Sequence, residues 1–213
     1  SGFQVEIFDT MDQIDLDEAE NIILINYNKQ SPFNNKLDLF VKKGGNLFVF
    51  ADHTNMLGVR DTINPMIDFS GLYLRDDTSD DLLFRNGNIW NNNLYSKLQP
   101  NFPNVITQSE IQVWGGASVD SRNKFADPVL VGRYATSDPA DMNNGGFGGF
   151  LGNRKFDLGE MAGDMKLIVR SLYGKGKVVL FGDTSYIQTP VLASNWKYIS
   201  SLFSDITPNR NIF

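Results

Sequence analysis

The stretch Val41–Asn55, VKKGGNLFVFADHTN, decides how the rest of the chain is read. Lys42 and Lys43 suit the C-terminus of a helix, where the macrodipole is negative, and Gly44-Gly45 offers the left-handed backbone that ends one. Leu47-Phe48-Val49-Phe50-Ala51 is an unbroken apolar run, the pattern of a strand covered on both faces. Polarity then switches at once to Asp52-His53-Thr54-Asn55, which carries the sole histidine of the protein. In open α/β sheets ligands bind beyond the carboxyl ends of the strands, so function is expected at this elbow.

Working outward toward the N-terminus, Phe33, Leu37, Phe40 and Val41 recur at helical spacing behind Ser31-Pro32, a helix start with Ser as N-cap and Pro at the first position. Asn21–Tyr27 reads as a second buried-type strand, Thr10–Glu20 as an acidic connector and Val5–Phe8 as a short strand. On the other side a helix is predicted from about Thr54, with Leu57, Ile63, Ile67 and Phe69 as its apolar positions and Pro65 as a kink or early stop. Leu72-Tyr73-Leu74 is a further strand. This alternation implies right-handed crossovers and an α/β fold with a mainly parallel sheet and helices on both faces.

The middle of the chain breaks that rhythm. Residues from about 75 to 125 form a polar insertion, with Asp76, Asp77, Asp80 and Asp81 close together. They lack the glycine and closing glutamate of a calcium loop and read as a solvated loop. Val105–Val119 and Pro128–Thr136 supply strand-like segments. The loop 138–153 is rich in glycine (Gly145, Gly146, Gly148, Gly149, Gly152), but Leu151 stands where a dinucleotide fingerprint needs a small residue, and no Gly-Lys-Ser/Thr follows. It reads either as a flap bordering the site or as a plain surface loop.

The last third repeats the opening theme. Met165–Leu172 alternates as a half-exposed strand, Tyr173-Gly174-Lys175-Gly176 turns it, and Lys177–Phe181 returns as a buried strand. That strand also ends in a polar cluster, Gly182-Asp183-Thr184-Ser185, before a final helix from about Ser194 to Phe203 with Trp196, Ile199, Leu202 and Phe203 on one face.

Composition narrows the function classes. The 213 residues suit a single domain spanning 1–213, and 41% apolar residues support a packed core. A net charge of −6 disfavours nucleic acid and anionic lipid, whose binding is dominated by an electrostatic term that would here be repulsive. The absence of cysteine removes disulfides, thiolate metal sites and a cysteine nucleophile. No apolar run is long enough to insert in a membrane. The chain opens Ser1-Gly2-Phe3 with no initiator Met or signal peptide, and reads as a segment of something longer.

Two passages together, Phe40–Asn55 and Tyr173–Ser185 (YGKGKVVLFGDTS), resemble the class I glutamine amidotransferase-like superfamily in its non-amidotransferase branch. That branch includes domains of membrane-associated proteins, gliding-motility and ABC-transport auxiliary proteins, and intraflagellar transport proteins. The likeness covers residues 3–72 and 126–203 and implies a three-layer, flavodoxin-like or amidotransferase-like fold with an added antiparallel hairpin. In the superfamily's enzymes a nucleophilic cysteine sits on the elbow, and a histidine and an acid follow a late strand. Here Asp52-His53 and Asp183-Thr184-Ser185 occupy those places, so glutamine hydrolysis is not expected. The resemblance also makes Phe3–Asp9 the second strand of that fold, with an apolar layer left for an upstream segment or a partner subunit to cover.

The candidate ligand-binding residues are therefore Asp52, His53, Thr54, Asn55, Asp183, Thr184 and Ser185, and the candidate catalytic ones Asp52, His53 and Asp183. Two carboxylates and an imidazole can ligate a metal or hold a water for hydrolysis. The preferred reading is structural: both aspartates cap loops, Thr54 or Asn55 caps the next helix, and His53 is a polar crevice residue whose loss leaves the fold intact. A Ser185–His53–Asp triad lacks the Gly-x-Ser-x-Gly elbow. Trp90 and Trp114 amid abundant Asn suggest a sugar platform.

The expectation is thus a non-catalytic domain binding a small molecule or protein partner within a larger protein. It needs no cofactor or metal, is extracytoplasmic or membrane-tethered, and has scope for a homo-oligomer. The alternative is a hydrolase or metal-dependent enzyme acting on a small or carbohydrate substrate at Asp52/His53/Asp183.

Overall fold

A computed structural model describes residues 4–29, 34–81, 92–95, 97–98, 111–141, 151–153, 156–189 and 191–206. In chain order they form β1 (Asn21–Ile25), α1 (Asn34–Lys43), β2 (Asn46–Phe50), α2 (Val59–Ile67), β3 (Leu72–Leu74), β4 (Thr78–Asp81), β5 (Asn92–Tyr95) and β6 (Lys97–Leu98). There follow β7 (Ile111–Trp114), β8 (Val119–Ser121), β9 (Asp127–Asp138), β10 (Ala162–Tyr173), β11 (Gly176–Phe181) and α3 (Val191–Ile206).

The main sheet is open and mixed, in the order β1-β2-β11-β10-β9-β4, with β6 also on β9. Its first three strands run parallel, with β2 between β1 and β11; Leu72–Leu74, expected to continue the parallel alternation, instead pairs antiparallel with β8 outside this sheet. The hairpin β10–β11 then reverses direction, and β9 and β4 continue antiparallel, so parallel pairing is confined to that end of the sheet. Two-stranded ladders β3–β8 and β5–β7 lie apart from it.

β2 is buried along its whole length because it has a strand on each side and packing on each face. Leu47 and Val49 enter one core cluster with Leu37 and Val41 of α1 and Ile63 and Ile67 of α2. Phe48 and Phe50 enter the other with Tyr198, Ile199 and Leu202 of α3. Phe50 stacks on Phe181 at a centroid separation of 4.0 Å, and Phe203 tilts over Phe48 at 4.6 Å. The Gly-Gly turn ends α1 as read, with Gly44 N–H donating to Val41 O and Gly45 N–H to Phe40 O.

Several sequence expectations are corrected. Residues 4–8 form no strand, and Val5 and Ile7 are 77% and 92% exposed. β1 is buried on one face only, because it is the outermost strand. α2 begins at Val59, after a 3-10 turn over Met56–Gly58 that leaves Leu57 exposed, and it accommodates Pro65 within its length. Asp77 and Asp80 are buried in and beside β4 rather than solvated. On α3 the buried side chains include Tyr198, Ile199 and Leu202, whereas Trp196 is exposed. Trp90 and the glycines from Gly145 to Gly149 fall outside the described residues.

Candidate functional site

Parallel neighbours in register, Phe50 beside Phe181, deliver Asp52 and Asp183 to the same edge of the sheet. There the two carboxyl groups lie close enough to act on each other. Asp183 is buried, and burial followed by the neighbouring charge of Asp52 holds its carboxyl well above the usual carboxylate range. The Ser185 backbone and side chain pull the other way by donating to Asp183, but do not offset the burial.

The other candidates divide around this pair. His53 turns its N–H into Asp52 Oδ1 at 2.9 Å, and its ring Nε2 stands 3.5 Å from the same oxygen. Its Nδ1 meets Thr54 Oγ1 at 2.9 Å, and the residue is 2% exposed, so the expected crevice histidine is in fact a buried one. Thr184 approaches through Asn26, whose Nδ2 donates to Asp52 Oδ2 at 3.2 Å and lies 3.5 Å from Thr184 Oγ1. Asn55 faces away: its Oδ1 accepts from the Asp61 N–H in the first turn of α2 and its Nδ2 donates to the Asp61 carboxylate, while the N-cap of α2 is Gly58 rather than Thr54 or Asn55. Ser185 Oγ is engaged by the Trp114 N–H at 2.8 Å.

Asn26 was not among the sequence candidates. The signal was available, since a polar Asn closes the apolar run of β1 just as Asp52 and Asp183 close theirs. What the sequence could not reveal is the lid. The segment Trp114–Ser118 lies across the ends of β2 and β11, with Ala117 N–H donating to Gly182 O at 2.9 Å. Gly116 lies so near that a Cβ there would stand 3.1 Å from the Asp183 Cβ, and a Cβ on Gly182 would meet Ala117 O at 2.0 Å. Only two glycines permit that approach.

A second buried carboxylate holds the lid down. Asp77 accepts from the Ser118 N–H at 2.8 Å, the Ser118 hydroxyl at 2.6 Å and the Ser137 hydroxyl at 2.8 Å. Ser79 adds its N–H and hydroxyl to Gly116 O, each at 2.7 Å, and Thr54 N–H donates to Asp77 O at 3.2 Å. Burial raises the Asp77 carboxyl above its ordinary range despite these donors. The polar insertion therefore closes over the strand ends and joins the elbow to β4 and β9. Asp52 retains 15% side-chain exposure, and Asp183 is sealed beneath.

Four non-glycine residues near these strand ends, Asn26, Thr54, Asn55 and Leu57, adopt left-handed backbone with φ from 43° to 53°. For the β-branched Thr54 that conformation is costly and is held by its burial and its bond to Asp77 O. Among the described residues no three acids or histidines are grouped to hold a metal. No described helix is long and apolar enough to cross a membrane. Trp114, half of the suggested sugar platform, sits in the lid with its indole nitrogen buried.

Against known proteins, no family model matches the chain. No curated protein matches it either. Solved structures do. An IFT52 N-terminal domain (mmIFT52) superposes with a TM-score of 0.65 at 15% identity, over 91% of this chain and 80% of that one. A cytoplasmic protein from Salmonella typhimurium gives 0.50 at 13% identity, over 94% and 74% of the two chains. Identities this low speak for a shared fold alone. The intraflagellar transport part of the sequence expectation is thus met at the level of fold, and no family model ties the chain to the amidotransferase-like superfamily.

Proposed function

We propose that this chain is a non-catalytic, partner-binding domain of a larger protein, a three-layer amidotransferase-like unit over residues 1–213 that has lost the superfamily's chemistry. One observation carries the reading. The strand-end edge where such folds place ligands is closed by the chain's own residues 114–118, with Asp183 and His53 buried beneath and hydrogen-bonded internally. The lid is pinned by Asp77 and seals Asp183, so that of the pair only Asp52 keeps a small exposure, too little for a substrate to reach both carboxyls. The fold likeness to an IFT52 N-terminal domain supports the same direction. Membrane tethering or an extracytoplasmic setting would come from the rest of that larger protein.

The rival reading, hydrolysis at Asp52, His53 and Asp183, draws on the adjacent carboxyl groups and the residual exposure of Asp52. Chromogenic glycoside and ester substrates separate the two. The expected result is no turnover above buffer from the wild-type protein, and none lost in Asp52→Asn. Turnover by the wild type that Asp52→Asn abolishes would replace the binding reading with an enzymatic one. Amide exchange offers a direct second measurement: Ala117 N–H, bonded to Gly182 O, should exchange as slowly as the amides of β2.

A further inference from the structure

We propose that Leu151 is a latch on the His53 side of the strand-end site, and that residues 151–153 open on their own to uncover that histidine while the lid stays in place. The argument begins with Gly115. Its backbone is left-handed (φ 75°) and it has no side chain, so the lid carries a gap at this point. A Cβ there would stand 3.5 Å from Leu151 Cδ2, 3.7 Å from Thr78 Cγ2 and 4.0 Å from His53 Cδ2. Leu151 and the His53 ring therefore converge on one gap from distant parts of the chain. Leu151 is 6% exposed and His53 2%, so the leucine completes a cover that the lid leaves unfinished.

The hold on this segment is slight. Among the described residues of 139–162, Leu151 is the only one with a buried side chain. Phe156, Leu158 and Met161, the other large apolar residues described there, are 53%, 104% and 37% exposed. Leu151 also belongs to neither core cluster. The second anchor is polar: Asn153 N–H donates to Asp138 Oδ1 at 3.2 Å. Gly152, at φ 68°, lies so close that a Cβ there would meet the same oxygen at 1.9 Å. A segment with so little buried apolar surface opens at a lower free energy than the domain unfolds.

The lid is held by other means. Asp77 bonds Ser118, Ser79 bonds Gly116 O, and Ala117 N–H donates to Gly182 O, none of which involves residues 151–153. The two covers are therefore separable. Releasing Leu151 uncovers the Cδ2 edge of the imidazole, next to Nε2, and leaves Asp183 sealed. Of the two readings of the loop 138–153, its last residues thus follow the flap that borders the site. The latch serves partner binding and catalysis alike, so its failure would leave the non-catalytic reading untouched.

Because His53 is the only histidine, carbethoxylation by diethyl pyrocarbonate, followed by ultraviolet absorbance, reports on this one ring. In the wild type it should react far more slowly than in the urea-unfolded chain. Leu151→Ala, which removes most of the apolar surface that closes the latch, should react at least ~10-fold faster than the wild type at unchanged circular dichroism. Leu158→Ala, exposed in the same connection, should keep the wild-type rate. Amide exchange separates the two covers in the unaltered protein: Asn153 N–H should exchange at least ~10-fold faster than Ala117 N–H. Leu151→Ala reacting at the wild-type rate would overturn the proposal, and so would a wild-type ring as reactive as the unfolded one. Loss of native dichroism in Leu151→Ala would make the leucine part of the core, and joint exchange of Asn153 and Ala117 would make the two covers one; either result also sinks it.

Discussion

β1 and β11 both flank β2, run parallel to it and carry apolar residues in the same register, yet they end in opposite circumstances. Beyond Phe181 the chain is sealed: Asp183 lies under a lid of residues 114–118, and Gly182 touches that lid backbone to backbone. Ile23 and Ile25, by contrast, are about half exposed, and among the described residues no strand pairs beyond them. The difference lies in what the polar insertion reaches. Its described part turns back over the strand ends near β11 and anchors itself through Asp77, away from β1.

The sharpest way to break the contrast is to mutate partners in register. Phe50→Ala should cost about 3–5 kcal/mol as an emptied aromatic core site, whereas Ile25→Ala, one strand outward, should cost under ~1 kcal/mol. Urea melts, run dilute enough to exclude association, read both values. Near-equal losses would show that the edge strand is covered in solution. The lid comes next. Gly182→Ala drives a methyl group into Ala117 O, a backbone atom that cannot rotate away, and should cost roughly 1–3 kcal/mol with faster amide exchange at Ala117. His53→Ala, contrary to the expectation from its polar neighbours, should lose about 2 kcal/mol in the same melts, because it empties a buried site.

The smallest effect is a matter of pH. The raised folded-state pKa of Asp183 means that the native protein holds this proton more tightly than the unfolded chain does. Its contribution to stability is therefore full below the unfolded carboxylate pKa, and is lost as pH rises from there through the folded value. Asp77 acts in the same sense. Asp183→Asn mimics the protonated form: its side-chain oxygen still accepts from Ser185 and its amide can donate to Asp52. Urea midpoints measured from acid to neutral pH should fall less steeply in Asp183→Asn than in the wild type. Parallel profiles would mean that the pair is not the source of the slope.

Much of the parallel half was legible in the chain. VKKGGNLFVFADHTN specified the end of α1, its turn, β2 and the polar elbow, because each feature is local: a dipole end, a left-handed cap, an apolar run. The coincidence of Asp52 and Asp183 was also readable, from two buried-type strands that each end in an acid. β1 misled because Asn21–Ile25 has the composition of a central strand while occupying an edge, and composition does not record position in a sheet. The same holds for Asp77: an aspartate among aspartates reads as solvated until two serines from distant segments arrive to bond it.

By itself, then, the sequence determined the α/β alternation, the parallel strands with polar ends, and the absence of any cysteine chemistry, since these depend on residue type and short-range periodicity. Only the tertiary structure decided that Asp183 lies beside Asp52 beneath a lid, that His53 is buried, and that Ile23 and Ile25 of β1 are exposed. Each of those is a property of which segments meet. Contacts between residues separated by tens of positions, such as Gly116 with Asp183 or Ser118 with Asp77, are set by the packing of the whole domain and leave no local pattern to read.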